Sequence, residues 1–192
     1  MGIKQAIASR LAEGKHITAK ELLHLGNRAA IDQALSRLAK SGELLRISRG
    51  LYVAPVQGRF GARPPEVSKT IESLGEQRGE TVVPHGAAAA NALGLTTQVP
   101  VREVYLTSGP SRELKLGAQI VELRHAPSWQ LVLPGSMGGD IVRTLAWLGR
   151  GKSSGEILKA HLPPAEREAL LATRPLLPTW MAQEISSLAS HA

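Results

Sequence analysis

The chain has 192 residues, of which 43% are hydrophobic and only 3% aromatic, so a core of aliphatic side chains is expected. It contains no cysteine, which excludes disulfides, thiolate catalysis and cysteine-based metal centres. The formal net charge of +7 lies in residues 1–63, which hold eleven Lys or Arg and four Asp or Glu, whereas residues 64–192 hold twelve of each.

Two short helices are predicted at the N-terminus. Residues 3–12 have apolar side chains at every fourth position, which is typical of one helical face, and Gly14 ends this helix. A second helix is expected over residues 19–25. Thr18 is a good N-cap for it, and Glu21, three residues later, completes a capping box.

A third helix and a β-hairpin follow. The helix is predicted over residues 28–40, with Asn27 as its N-cap and an end at Ser41-Gly42. Its apolar residues share one face: Ile31, Ala34, Leu35 and Leu38. Residues 44–47 and 51–53 are prone to form strands, and the turn between them offers Gly50 for a positive φ. Three helices followed by a hairpin is the order of a winged helix-turn-helix.

The predicted winged helix supplies candidate DNA contacts, and the positive charge of residues 1–63 favours a polyanionic partner. Gln33 can pair with adenine, and Arg37 with guanine or phosphate, if the third helix enters a major groove. Arg49, at the tip of the hairpin, can enter a minor groove. Thr18 and Lys20 could hold a phosphate at the start of the second helix. The full set is Thr18, Lys20, Arg28, Ala29, Gln33, Ser36, Arg37, Lys40, Arg46, Ser48 and Arg49.

A domain boundary is expected where Pro, Gly and Arg accumulate, at residues 55–65. The predicted organisation is a DNA-binding domain over residues 1–57, a linker over 58–65 and a second domain over 66–192. Further elements are predicted in that domain: helices over 66–78, 85–95 and 138–151, extended segments over 81–83 and 101–109, paired strands within 112–125 and helices near the C-terminus. The expected fold class is α+β, a winged helix-turn-helix followed by a mixed α/β domain with a small sheet and C-terminal helices.

Catalytic signals are weak, so we expect no enzyme, no cofactor and no metal. The segment GRGKSSG over 149–155 resembles the end of a phosphate-binding loop, but Ala146 stands where that motif needs glycine. The histidines are scattered without metal-ligand spacing. A nucleic-acid-processing enzyme anchored by a winged helix remains an alternative. Without a signal peptide or a long apolar run, a cytoplasmic location is expected.

Three segments carry a resemblance to a known family. ALSRLAKSGELLRISRGLYVAP, VVPHGAAAANALGL and VREVYLTSGPSRELKLGAQIVELRHAP together resemble the AbiEi-like antitoxin and transcriptional-regulator family of type IV toxin–antitoxin systems. The resemblance covers residues from about 5 to 150. The first segment is shared by many winged helices, and its combination with the TSGPSR segment is more specific.

The resemblance implies an autorepressor that binds inverted repeats in double-stranded DNA of its own promoter. It also implies a C-terminal domain that counters a nucleotidyltransferase-like toxin of the AbiEii type. Residues Arg28 to Lys40 and Arg46 to Arg49 would be the DNA-reading part. Candidate antitoxin residues lie at the TSGPSR turn: Ser108, Ser111, Arg112 and Lys115. The alternatives are a capped hairpin turn for these residues, and a stand-alone regulator whose second domain dimerises or senses a ligand.

Overall fold

The computed structural model describes residues 3–8, 16–59, 61–97, 102–151 and 162–190. The protein is mixed α and β, with several helices and small sheets. Contacts divide it into two compact units, Met1–Gly79 with Glu113–Val121, and Glu80–Arg112 with Glu122–Ala192. The first unit thus extends to Gly79, whereas the sequence analysis placed the boundary at residues 58–65.

The first unit opens with a helix, a strand, a helix and a hairpin. Its elements are α1 (Ile3–Ala8), β1 (His16–Thr18), a 3-10 helix (Leu23–Leu25), α2 (Arg28–Lys40), β2 (Leu45–Ser48) and β3 (Leu51–Val53). The strands form an antiparallel sheet in the order β1-β3-β2, in which Leu51 lies opposite both Thr18 and Ser48. The second half of the helix predicted over residues 3–12, with Leu11, and its expected end at Gly14 lie outside the described residues.

The prediction of a second α-helix over residues 19–25 is wrong. Thr18 ends β1 instead of capping a helix, and four backbone bonds over residues 18–25 join an N–H to the carbonyl three residues before it, as in a 3-10 helix. The proposed capping box is half present, because the Thr18 N–H donates to Glu21 Oε2 at 2.9 Å. Seven residues between a paired strand and Gly26 are too few to offset the nucleation cost of an α-helix.

The prediction of α2 is confirmed at both ends. Asn27 Oδ1 accepts the Ala30 N–H at 2.9 Å, which caps the N-terminus, and the chain leaves the helix through Ser41 and Gly42, whose φ is +78°. Ile31, Leu35 and Leu38 are buried, and Ala34 packs against the same cluster. Side chains from α1, β1, β3, the segment that follows β1 and the residue before β2 complete this core: Ile7, Ile17, Ala19, Leu22, Leu44 and Tyr52.

The hairpin of β2 and β3 also forms as predicted. Gly50 adopts a φ of +73° in its turn, a left-handed conformation that strains side chains with a Cβ. Leu51 and Val53 are buried and fix the hairpin to the core. The register shifts between Arg46 and Ser48, so a bulge lies next to the turn.

A second hairpin and a helix follow within the first unit. β4 (Val56–Gly58) and β5 (Gly61–Arg63) are antiparallel, with Val56 opposite Arg63 and Gly58 opposite Gly61. α3 (Val67–Arg78) ends at Gly79, which has a φ of +65°. The expected linker over residues 58–65 therefore includes most of a β-hairpin.

The remaining strands and helices belong to the later part of the chain. They are β6 (Val82–Pro84), α4 (Gly86–Ala92), β7 (Glu103–Thr107), β8 (Arg112–Leu116), β9 (Gln119–His125), a 3-10 helix (Ser128–Gln130), α5 (Met137–Leu148), α6 (Pro164–Ala172), a 3-10 helix (Arg174–Leu176) and α7 (Thr179–Ser190). The sheet has the order β6-β7-β9-β8. The predicted pairing around Gly117 is confirmed, since that residue lies between β8 and β9 with a φ of +63°.

Aliphatic packing holds the helices of the second unit together. One cluster joins α5, α6 and α7 through Ile141, Val142, Leu145, Leu170, Leu177, Met181 and Ile185. A smaller cluster lies beside the sheet: Val83, Leu106, Ala126 and Leu131. Within the described ranges, none of the helices has the length and apolarity needed to cross a bilayer.

Candidate nucleic-acid interface

The outer face of α2 carries five of the eleven predicted DNA-contacting residues. Because Ile31, Leu35 and Leu38 point into the core, the opposite side of the helix faces solvent. The exposed side chains on that side include Ala29, Gln33, Ser36, Arg37 and Lys40. The core thus holds the helix in one orientation, with its hydrogen-bonding groups turned outward.

Arg28 is less available than its position suggests. Its Nε donates to Asp32 Oδ2 at 3.0 Å, and the two side chains remain 59% and 49% exposed. An exposed pair of this kind contributes little stability, so a phosphate can compete for the arginine at small cost. The sequence analysis did not assign Asp32 a role, although its four-residue spacing from Arg28 is the usual signal for such a pair.

The hairpin turn lies close to the start of α2. A Cβ on Gly50 would stand 4.0 Å from Arg28 Nη2, and the Ala19 N–H lies 3.4 Å from the Gly50 carbonyl oxygen. Arg49 is exposed in this turn, while Ser48 is half-buried. The structure therefore brings the turn, the first turn of α2 and the segment after β1 into one small region.

The other predicted contacts are placed less favourably. Arg46 is exposed, but its Nε lies 3.4 Å from the Ser48 carbonyl oxygen, so the side chain lies along its own strand. Lys20 is exposed and Thr18 is half-buried. No α-helix begins directly after Thr18, so no helix N-terminus is available there to bind a phosphate.

The TSGPSR turn is held by its own side chains. Ser108 Oγ accepts the Thr81 N–H at 2.9 Å, and Ser111 Oγ accepts the His125 N–H at 2.8 Å. Ser108 and Ser111 thus bind backbone groups, which supports the alternative of a capped hairpin turn. Lys115 is exposed on β8.

Arg112 is engaged by a carboxylate that the sequence analysis missed. Arg112 Nη1 donates to Glu80 Oε1 at 3.2 Å, Nη2 donates to Glu80 Oε2, and the two side chains are only 16% and 13% exposed. The same carboxylate leaves no space for a Cβ on Gly109, which would stand 2.3 Å from Glu80 Cδ. Glu80 lies 32 residues from Arg112, so no local pattern connects the two in the sequence.

A cavity of about 320 Å³ lies in the second unit between α4 and β7. Alanines and Val104 supply an apolar wall, and His85, Arg102, Glu103, Tyr105 and Asp140 supply polar groups. Burial is the main cause that lowers the pKa of His85 below its ordinary value. Arg124 adds to this effect, and Glu122 opposes it. The size and mixed lining are typical of a small-molecule site.

Metal chemistry has no visible basis in the part of the chain that the structure describes. No group of three or more His, Asp or Glu side chains there is arranged to hold an ion. Lys152 and Ser153 of the GRGKSSG segment lie outside the described residues.

Comparison with known proteins gives a family but no characterised relative. Neither the curated proteins nor the solved structures contain a match to the chain. A family model described as a family of unknown function, DUF6088, matches residues 3–162. Because that match spans well over half of the 192 residues, the chain belongs to the DUF6088 family.

Proposed function

We propose that the protein is a DNA-binding transcriptional repressor whose first unit begins with a winged helix-turn-helix. In this proposal, α2 is the recognition helix and the hairpin of β2 and β3 is the wing. One observation carries the proposal. α2 buries Ile31, Leu35 and Leu38 and exposes a face with Gln33 and Arg37, and Arg49 is exposed in the hairpin turn.

The topology of the first unit supports a winged helix. The segment that contains the 3-10 helix Leu23–Leu25 takes the place of the second helix of a winged helix-turn-helix. α2, which Asn27 caps, takes the place of the third helix. β1 pairs with β3, so the hairpin is tied to the helices through Thr18 and Leu51. Such a sheet gives the wing a rigid base, which a groove contact requires.

The charge distribution supports a duplex as the partner. Residues 1–63 hold all of the net positive charge, and Arg37, Lys40 and Arg49 are exposed. Contacts from arginine and lysine to phosphates supply much of the affinity of DNA-binding proteins, while side chains in the groove supply specificity.

The proposal extends to autoregulation and antitoxin activity through the AbiEi-like resemblance. The protein would bind inverted repeats in its own promoter and counter a nucleotidyltransferase-like toxin in the cytoplasm, with no catalytic step of its own. The hydrogen bonds of Ser108, Ser111 and Arg112 favour a structural part for the TSGPSR turn within that activity.

The Arg37→Ala variant tests the assignment of the recognition helix. We expect its affinity for the duplex upstream of its own gene to fall by about 1–3 kcal/mol if Arg37 reads a guanine. Fluorescence anisotropy with a labelled duplex measures this change. Arg78→Ala, which removes an exposed arginine at the end of α3, is the matched control and should bind like the wild type. Equal affinity of Arg37→Ala and wild type would remove the assignment.

A second candidate function is a stand-alone regulator whose second unit senses a small molecule. The cavity beside His85 and Tyr105 favours it. The identity of the neighbouring gene, and co-expression with its product if that is a nucleotidyltransferase, distinguish the two functions. Rescue of growth supports the antitoxin, whereas the lack of such a neighbour or of any rescue supports the sensor.

A further inference from the structure

The hairpin over residues 56–63, which we call the arm, has no part in the proposed winged helix. It follows β3 after only Ala54 and Pro55, and its strands β4 and β5 are three residues each. Gly61 has a φ of +105° and stands opposite Gly58, so the arm is narrow at its tip.

The described side chains of the arm are nearly all exposed, so they contribute little to the core of the first unit. Val56 is half-buried, and the described residues from Gln57 to Arg63 are all exposed. A two-stranded hairpin whose described side chains are nearly all exposed is marginally stable in water. In its sequence, VQGRFGAR, the strand residues Gly58, Gly61 and Ala62 are small, whereas strands normally carry larger side chains.

The base of the arm is fixed to the first unit. Ala54 and Pro55 are buried before it, and Pro65 is buried after it. Arg59 lies at the turn of the arm, and Arg63 lies at the end of β5, where its Cδ and Nε are 3.7 Å from the position of a Cβ on Gly58. This geometry resembles that of the wing itself, a short hairpin that exposes arginine near its turn.

The charge of the arm is positive and is not balanced within it. Arg59 and Arg63 are exposed, and the segment contains no Asp or Glu. The first acid after it, Glu66, pairs with Lys69 at 3.0 Å and accepts a bond from Ser68 at 2.9 Å. Lys69 and Ser68 are the main causes that lower the pKa of Glu66, and Arg63 adds a smaller effect. A surface with two exposed arginines and no acid is complementary to a phosphate backbone.

We propose that the arm is a second DNA-contacting element, in which Arg59 and Arg63 bind phosphates of the duplex. This inference rests on the proposed function and adds to it a contact that does not depend on base sequence. Gly61, with open space where a Cβ would stand, and the exposed Ala62 leave β5 open for the duplex backbone to approach. The contact would strengthen specific and nonspecific binding equally, because phosphates carry no sequence information.

The double variant R59Q/R63Q tests the arm. The full-length protein and its variants are titrated with the upstream duplex and an unrelated duplex at several salt concentrations. Loss of two phosphate contacts should reduce the magnitude of the slope of log K against log salt by about 1.8, and should weaken binding to both duplexes by about 10-fold to 100-fold near 0.1 M salt. The charge-matched variant R78Q/R150Q, which removes two other exposed arginines, should keep the wild-type slope.

The outcomes separate the arm from the winged helix. If the wild type binds and R59Q/R63Q keeps its affinity and slope, the arm is not a DNA contact, and the proposed function stands. If R78Q/R150Q loses as much as R59Q/R63Q, the effect is one of total charge, and the inference is again overturned. If the wild type binds neither duplex, the proposed function itself fails, and the arm with it. Circular dichroism of each variant establishes that it is folded.

Discussion

His85 caps a helix with its imidazole ring. Its Nδ1 accepts the Ala87 N–H at 3.3 Å at the start of α4, a contact that requires an unprotonated nitrogen. Burial, with a smaller contribution from Arg124, lowers the pKa of His85, while Glu122 acts in the opposite direction. The folded protein therefore prefers the neutral ring.

This preference makes stability depend on pH. Between the lowered folded pKa of His85 and its ordinary value of 6.5, the unfolded chain binds more protons than the folded one. The stabilisation is thus complete above pH 6.5 and is lost as the pH falls below it. We expect the urea midpoint of the wild type to decrease between pH 7.5 and 5.5.

The variant His85→Asn should flatten that decrease, because asparagine can cap the helix but does not titrate. Urea unfolding at a series of pH values, followed by circular dichroism, measures the effect. His24→Asn, which changes an exposed histidine, is the control and should keep the wild-type profile. A wild-type profile in His85→Asn would show that another group causes the pH dependence.

Some side-chain positions and contacts could be predicted from the sequence, and others could not. The exposed and buried faces of α2 follow from helical periodicity alone, since Ile31, Leu35 and Leu38 are spaced for one side. The ion pair of Arg28 with Asp32 was available from the same periodicity. The contact of Glu80 with Arg112 could not be predicted, because 32 residues separate the two in the sequence.

At the scale of elements, the TSGPSR turn stands out in the sequence, and its side chains stabilise the fold. Glu80 lies under the turn and binds Arg112, and it also accepts a bond from Thr107 Oγ1 at 3.4 Å. Both charged side chains are largely buried, so removal of one leaves the other without compensation. The turn therefore depends on Glu80 for its conformation.

We expect Glu80→Gln to lower the free energy of unfolding by about 2–4 kcal/mol, since Arg112 would lose its counterion while remaining largely buried. The matched control is Glu122→Gln, which breaks the more exposed pair with Arg124 and should lower the free energy of unfolding much less than Glu80→Gln. Urea unfolding of both variants provides the comparison. Equal losses would contradict the structural role of Glu80.

Elements were predictable where local signals were strong. Asn27 and the Ser41-Gly42 end defined α2, and Gly50 and Gly117 marked turns that have a positive φ in the structure. The 3-10 segment before Gly26 was mistaken for an α-helix because its capping residues match both structures. β1 has no local signal of its own, since only its pairing with β3 makes it a strand.

At the scale of the whole molecule, the extent of the first unit was the least predictable feature. A segment rich in Pro, Gly and Arg usually marks a boundary, yet residues 56–63 form a hairpin and α3 belongs to the same unit. Residues 113–121 join that unit from a distant part of the chain, which composition cannot reveal. The segregation of charge, in contrast, was readable from sequence and underlies the proposed function.

The most direct test of DNA binding is the salt dependence of wild-type affinity for the duplex upstream of its own gene. About six phosphate contacts predict that log K falls against log salt with a slope near −5. Anisotropy titrations from low to physiological salt measure it. A slope of this size, with tighter binding to the upstream duplex than to unrelated DNA, is the result that the winged-helix proposal predicts. An affinity independent of salt, or no binding to that duplex, would contradict it.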